Sequence, residues 1–138
     1  MNIFKKIPYF DVGDGNGDVF FRRWKILKTA WFSVYLHQFF RSDRYRCLHN
    51  HPWWFWVLIL RGGYWEHLPT GRVWRHPGYF ARYPADHFHR IEIDPAQPKP
   101  WSLVLVGPKF QEWGFRASDG SFVAWDPKLP NPVCETGD

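Results

Sequence analysis

A chain of 138 residues, 45% of them hydrophobic, is sized for one domain around one core and is too apolar for global disorder. Ten tryptophans, with glycine and proline both plentiful, suit pleated, half-buried strands separated by turns better than helices. The formal charge of +5 and a pI near 9.4 favour an anionic partner. The basic residues are scattered, without a run of five or six, so a small phosphate, carboxylate or nucleotide is favoured over a nucleic acid polymer.

The opening stretch M-N-I-F-K-K-I-P-Y-F carries charge but no apolar stretch of the secretory kind. The longest apolar run, Trp53 to Leu60, is too short to span a bilayer, so no membrane role is expected. Residues 11–18, D-V-G-D-G-N-G-D, form a turn-rich segment in which glycines can take positive φ and Asp or Asn can bond local backbone. Its alternating carboxylates echo a calcium loop, but the closing glutamate is missing and calcium is set aside. Strands are predicted at Val19 to Leu27, Trp31 to Phe40, Trp54 to Leu60, Tyr64 to His67, Arg72 to Arg75 and Tyr79 to Tyr83. Further strands are predicted at His87 to Ile93, Trp101 to Val106, Gln111 to Arg116 and Ser121 to Trp125. One short helix is allowed near residues 26–31; elsewhere no apolar stripe of helical period has helix length. The tail 126–138 is Pro-rich and polar. Short strands at this spacing predict an all-β sandwich or barrel over residues 1–138. Cys47 and Cys134 make no disulfide framework and no CxxC pair, so a reducing cytoplasm is expected.

Two short stretches carry the chemistry. C-L-H-N-H-P-W-W and P-A-D-H-F-H-R each place histidines two residues apart, at His49 and His51 and at His87 and His89. On an extended backbone residues i and i+2 share a face, so Cys47, His49 and His51 share one side and His87 and His89 another, with Ile91 and Ile93. Imidazoles from two strands can converge on one ion about 2.1 Å from each nitrogen. Set against this, a single His-x-His often marks core histidines satisfied by neighbours.

The stretch L-H-N-H-P-W-W-F-W-V-L-I-L-R-G-G resembles the first cupin motif, a His-x-His entering a strand that ends at a glycine turn, here Gly62. G-Y-F-A-R-Y-P-A-D-H-F-H-R-I resembles the second, which sets its histidine five residues after a proline; Pro84 and His89 fit, with Asp86 where glycine is usual. More loosely, Y-L-H-Q-F-F-R-S-D through G-P-K-F-Q-E-W-G-F is similar to small cupin-type proteins of bacteria and their phages. The resemblance implies a double-stranded β-helix, an antiparallel jelly-roll barrel, with His49, His51 and His89 as metal ligands. The first motif's usual glutamate is absent, because Trp54 and Phe55 stand there. Three histidines without a carboxylate resemble the thiol-dioxygenase branch of the family. His87, Glu66 or Cys47 could complete such a site, although none matches a motif position; Cys47 otherwise reads as a small buried residue.

Arg61, Arg82, Arg90 and Lys109 flank these motifs, and a guanidinium fork fits carboxylate or phosphate. Arg61, Arg82 and Arg90 are the candidate substrate-binding cations, with Trp53 and Trp113 as aromatic walls. Trp54, Trp56, Trp65 and Phe115 are further wall or core residues. Arg82, if it points inward, would clamp the anion; Arg82 and Glu66 are the candidate catalytic groups. Arg90, alternating with His89, should point away from the ion. His37 reads as a satisfied buried histidine, His67 and His76 as exposed ones. The expected protein is a metal-dependent cupin enzyme on a small anionic substrate, dioxygenase-like with Fe(II), or with Zn, Mn or Ni instead. Its competitors are a metal-dependent hydrolase of a phosphoester or (cyclic) nucleotide, a non-catalytic protein that sequesters a small anion or nucleotide, and an interaction protein docking through tryptophans. A homodimer is the assembly that the resemblance suggests.

Overall fold

The computed structural model describes residues 6–13, 19–42, 47–129, Pro132 and Cys134. Twelve strands and no helix occur among the described residues. Among the described residues no helix is long and apolar enough to cross a membrane. Six antiparallel strands form the larger sheet, in the order β1 (Tyr9–Gly13), β2 (Val19–Lys28), β3 (Ser33–Phe39), β10 (Trp101–Val106), β5 (Phe55–Arg61) and β8 (Phe80–Tyr83). Two three-stranded sheets accompany it. One runs β12 (Phe122–Ala124), β11 (Gly114–Arg116), β4 (Leu48–His49); the other runs β7 (Gly71–Arg75), β6 (Tyr64–Leu68), β9 (Arg90–Glu92).

Period-two patterning builds the large sheet. Ser33, Tyr35, His37 and Phe39 of β3 are buried, as are Phe55, Val57 and Ile59 of β5 and Ser102, Val104 and Val106 of β10. Cross-strand register aligns them in rows: Tyr35 with Val104 and Val57, and His37 with Ser102 and Ile59. β-branched and aromatic side chains stacked this way stabilise a sheet pairwise. Phe39, Ile59, Tyr64 and Ile91 join the large sheet to β6 and β9 in a second buried cluster. The all-β antiparallel barrel expected from sequence is therefore the observed architecture.

Differences are local. The short helix allowed near 26–31 is absent: β2 runs to Lys28, and a two-residue hairpin closes where Thr29 N–H donates to the Phe32 carbonyl at 2.9 Å. β1 and the two-residue β4 were not anticipated. The strand expected from His87 is regular only from Arg90, after a single bridge at His89, because Pro84 to Asp86 make a turn that His87 and Phe88 leave irregularly. Of the turn-rich segment, residues 11–13 end β1 and 14–18 lie outside the described residues, as does part of the tail 126–138. Cys47 and Cys134, expected as separate thiols, are joined in a disulfide with Cα atoms 4.9 Å apart. The tail brings together positions 87 apart in sequence, a proximity that spacing does not show. With both cysteines joined, cysteine usage no longer argues for a reducing compartment.

The chain crosses from the large sheet to the small one at Gly62 and Gly63, with φ of 84° and 81°. A Cβ on Gly62 would collide with the Pro98 carbonyl and approach Pro100 Cα to 2.9 Å. Gly62→Ala should thus lower the unfolding free energy by about 1–3 kcal/mol, read from urea unfolding. An unchanged midpoint would show that this crossing tolerates a side chain.

Candidate metal centre

The segment Leu48 to His51 is fixed from both sides. His49 exchanges two backbone hydrogen bonds with His89: its N–H donates at 2.9 Å and its carbonyl accepts at 3.0 Å. His51 N–H donates to the Ala85 carbonyl at 3.0 Å. Asn50 bonds the opposite way, its N–H donating to Gly114 O at 3.0 Å while its Oδ1 accepts from Gly114 N–H at 2.8 Å. Gln111 Nε2 donates to the His51 carbonyl at 2.8 Å. Alternation thus aims His49 and His51 toward the segment carrying His89, with their backbone polar groups satisfied.

The three rings meet. Centroids are 5.2 Å apart for His49 and His51, 5.0 Å for His49 and His89, and 4.9 Å for His51 and His89, each pair near edge-on. One ring nitrogen from each lies within 4.8 Å of the others, a separation that could hold one metal ion. His51 Nδ1 is buried with no hydrogen-bond partner. A buried imidazole nitrogen is ordinarily satisfied, so this donor set has unmet capacity, and the residues fit a cation. Burial pushes His49 and His51 well below the usual histidine pKa, and the neighbouring His89 adds to it. Neutral imidazoles, with a lone pair to offer, are the form that ligates metals.

Behind His89 lies Glu66, 1% exposed on β6. His89 Nδ1–H donates to Glu66 Oε2 at 2.5 Å, which leaves Nε2 as the nitrogen for a metal. His87 Nε2–H donates to the same oxygen at 3.0 Å; Arg75 Nε–H and Tyr83 O–H donate to Oε1 at 2.8 and 3.1 Å. Burial works to raise the Glu66 pKa, but hydrogen bonds from His87, His89 and Arg75 outweigh it and hold the carboxyl well below its ordinary range. Tyr83, raised by burial and by its bond with Tyr79, stays protonated and donates. Glu66, His87 and His89 also lie within metal-binding distance of one another, yet their polar atoms already satisfy each other. The carboxylate therefore orients His89.

The rings of His49, His51 and His89 border a cavity of about 370 Å³ that Trp53, Phe55, Trp113, Phe115 and Trp125 help to wall. Trp53 and Trp113, expected as walls, are there; Trp54, Trp56 and Trp65 pack elsewhere, against Gly107, Phe80 and Trp74. The expected cations are not at the cavity. Arg82 is exposed on the outer face of β8 and lies over Trp54, because β8 turns Ala81 and Tyr83 inward instead. Arg61 is exposed beside a separate groove formed with Trp65, Trp74 and Asp94. Arg90 is buried away from the rings and donates to His67 Nδ1 at 3.1 Å. His87 stacks on Tyr83, centroids 3.9 Å apart, outside the cavity lining. His67, expected exposed, is partly buried and bonded to Glu92 at 2.6 Å; His76 is exposed as expected. Cys47 borders the cavity but its sulfur is committed to Cys134. Sequence reasoning missed Arg23, which with His37 does line the cavity. The available signal was that Phe21 and Arg23 share a strand face, but His37 as partner required the β2–β3 register.

No protein-family model matches the sequence, and no curated protein matches it. Solved structures do match in shape. The cupin-2 domain protein Rru_A2000 of Rhodospirillum rubrum aligns with a TM-score of 0.66 at 12% identity, over 83% of this chain and 78% of that one. The polyketide cyclase RemF of Streptomyces resistomycificus aligns at 0.62 and 18% identity, over 75% of each chain. FeII HppE aligns at 0.61 and 6% identity, over 77% of this chain and 59% of that one. At such identities the likeness speaks for architecture, and the architecture is the cupin barrel.

Proposed function

We propose that this protein is a metal-dependent enzyme that acts on a small anionic molecule, with His49, His51 and His89 holding one divalent ion. The observation that carries the reading is the convergence of three imidazoles on one cavity, with His51 Nδ1 buried and unsatisfied. Fe(II) is the favoured ion, with Zn, Mn or Ni as alternatives; one of the similar folds, HppE, is an Fe(II) protein. When bound, Fe(II) would supply open coordination positions at which O₂ and substrate can react, giving dioxygenase-like chemistry.

The chain's own residues supply the rest. Glu66 holds the Nδ1 proton of His89 and so fixes the tautomer and ring direction. Arg75 and Tyr83 keep Glu66 in place. Trp53, Phe55 and Trp113 exclude water and offer flat surfaces to a substrate. Hydrolysis of a phosphoester or nucleotide is the weaker reading: among the described residues no carboxylate borders the cavity to take a proton from water. A non-catalytic anion-binding protein would need no ion at all, and metal content separates it from the enzyme.

Protein purified without a histidine tag should carry or accept about one ion per chain, and His49→Ala/His51→Ala should fall below about 0.2 with the barrel's circular dichroism retained. Full metal content in the double variant refutes the assignment. Glu66→Gln should keep the ligands but weaken metal affinity by about 10–100-fold, measured by competition with a chelator. Unchanged affinity there would mean that the carboxylate does not act through His89.

A further inference from the structure

Arg23 points inward from β2, in register with His37 on β3. Its Nε–H donates to His37 Nε2 at 2.9 Å. Its guanidinium carbon lies 4.5 Å from the ring centroid of Tyr35, 5.5 Å from those of Phe10 and Phe21, and 6.0 Å from that of Trp53. Arg22, Arg72 and Arg75 each pair with a carboxylate; among the described residues none pairs with Arg23. Burial pushes its pKa down to about 10, which still leaves a cation at neutral pH. Burial and then the charge of Arg23 drive His37 well below the usual histidine range, so its partner is neutral. A charge withdrawn from water without a counter-ion is unfavourable, and aromatic faces offset this only in part.

Arg23 and His37 border the same cavity as His49, His51 and His89, and Arg23 is the sole lysine or arginine among its described lining residues. Because Nε is committed to His37, the two terminal amino groups remain, a planar pair that matches the two oxygens of a carboxylate. The remaining lining is mainly aromatic and aliphatic, including Phe21, Phe39, Val57 and Val104. A phosphate dianion would bring a second charge for which this lining has no second side-chain cation.

We infer that Arg23, positioned by His37, is the carboxylate clamp of this cavity, and that its ligand is a small aromatic or apolar organic acid lying between Arg23 and the three histidines. The inference rests on the proposed metal site for what stands at the far end of the ligand. The clamp itself requires only the cavity.

Calorimetric titration of the full chain, metal-free and Zn(II)-loaded, with benzoate, phenylacetate and 3-phenylpropionate against their primary amides tests it. At least one acid should bind about 10-fold or more tighter than its amide. Arg23→Gln should erase that preference, weakening the acid about 10-fold while leaving the amide and the Zn(II) stoichiometry unchanged. Arg23→Lys keeps the charge but not the fork, and should lose at least about threefold; it replaces Arg23→Gln if that variant does not fold. No preference for any acid in the wild type, or a preference as large in either variant as in the wild type, overturns the clamp. Phenylphosphonate binding tighter than every acid overturns the carboxylate assignment. The metal-free His49→Ala/His51→Ala protein should retain the acid preference, so failure of the metal site and failure of the clamp give different results.

Discussion

Two backbone hydrogen bonds exchanged between His49 and His89 set the geometry on which the site depends. They join β4 to the connection between β8 and β9 at one point and bring side chains from distant sequence to one spot. In an antiparallel pair, residues that exchange both bonds sit directly opposite each other. Ring proximity is thus imposed by the backbone, before any ion is present. Asn50 reinforces it from the other side by bonding Gly114, which places β11 and its aromatic flank along the cavity.

Charge is layered around that point. Glu66, an anion buried behind His89, is matched by Arg75 and by donors from His87, His89 and Tyr83. In front stand neutral His49 and His51, with lone pairs available to a cation. Arg23, a cation held by a neutral histidine and by aromatic faces, borders the same cavity. A buried carboxylate backing a histidine strengthens its basicity, and a cation across a cavity of low polarity attracts an anion. The proposed metal site and the proposed clamp thus border one cavity.

Much of this was legible in the sequence, because alternation on β3, β5 and β10 and the glycines after β5 are local signals. The two His-x-His stretches were legible too, but only as pairs. His49 and His51 both reach the cavity, whereas His87 does not: the Pro84 to Asp86 turn leaves it outside regular strand geometry, so the i, i+2 rule stops applying. Arg82 was a reasonable clamp by proximity to the motif, yet strand phase puts Ala81 and Tyr83 inward and Arg82 out. Arg23 lies 26 residues before His49, and its role follows from sheet order, where β2 and β3 lie beside β10 and β5. The same limit hid the Cys47–Cys134 pairing. Faces can be read from one strand; which faces share a cavity cannot.

X-ray absorption of the untagged protein loaded with one equivalent of Zn(II) tests the central claim most directly. Convergent histidines predict a first shell of nitrogen at about 2.0–2.1 Å with the outer-shell scattering of three imidazoles. A shell of oxygen alone, or scattering that persists unchanged when His49 and His51 are replaced, would contradict it.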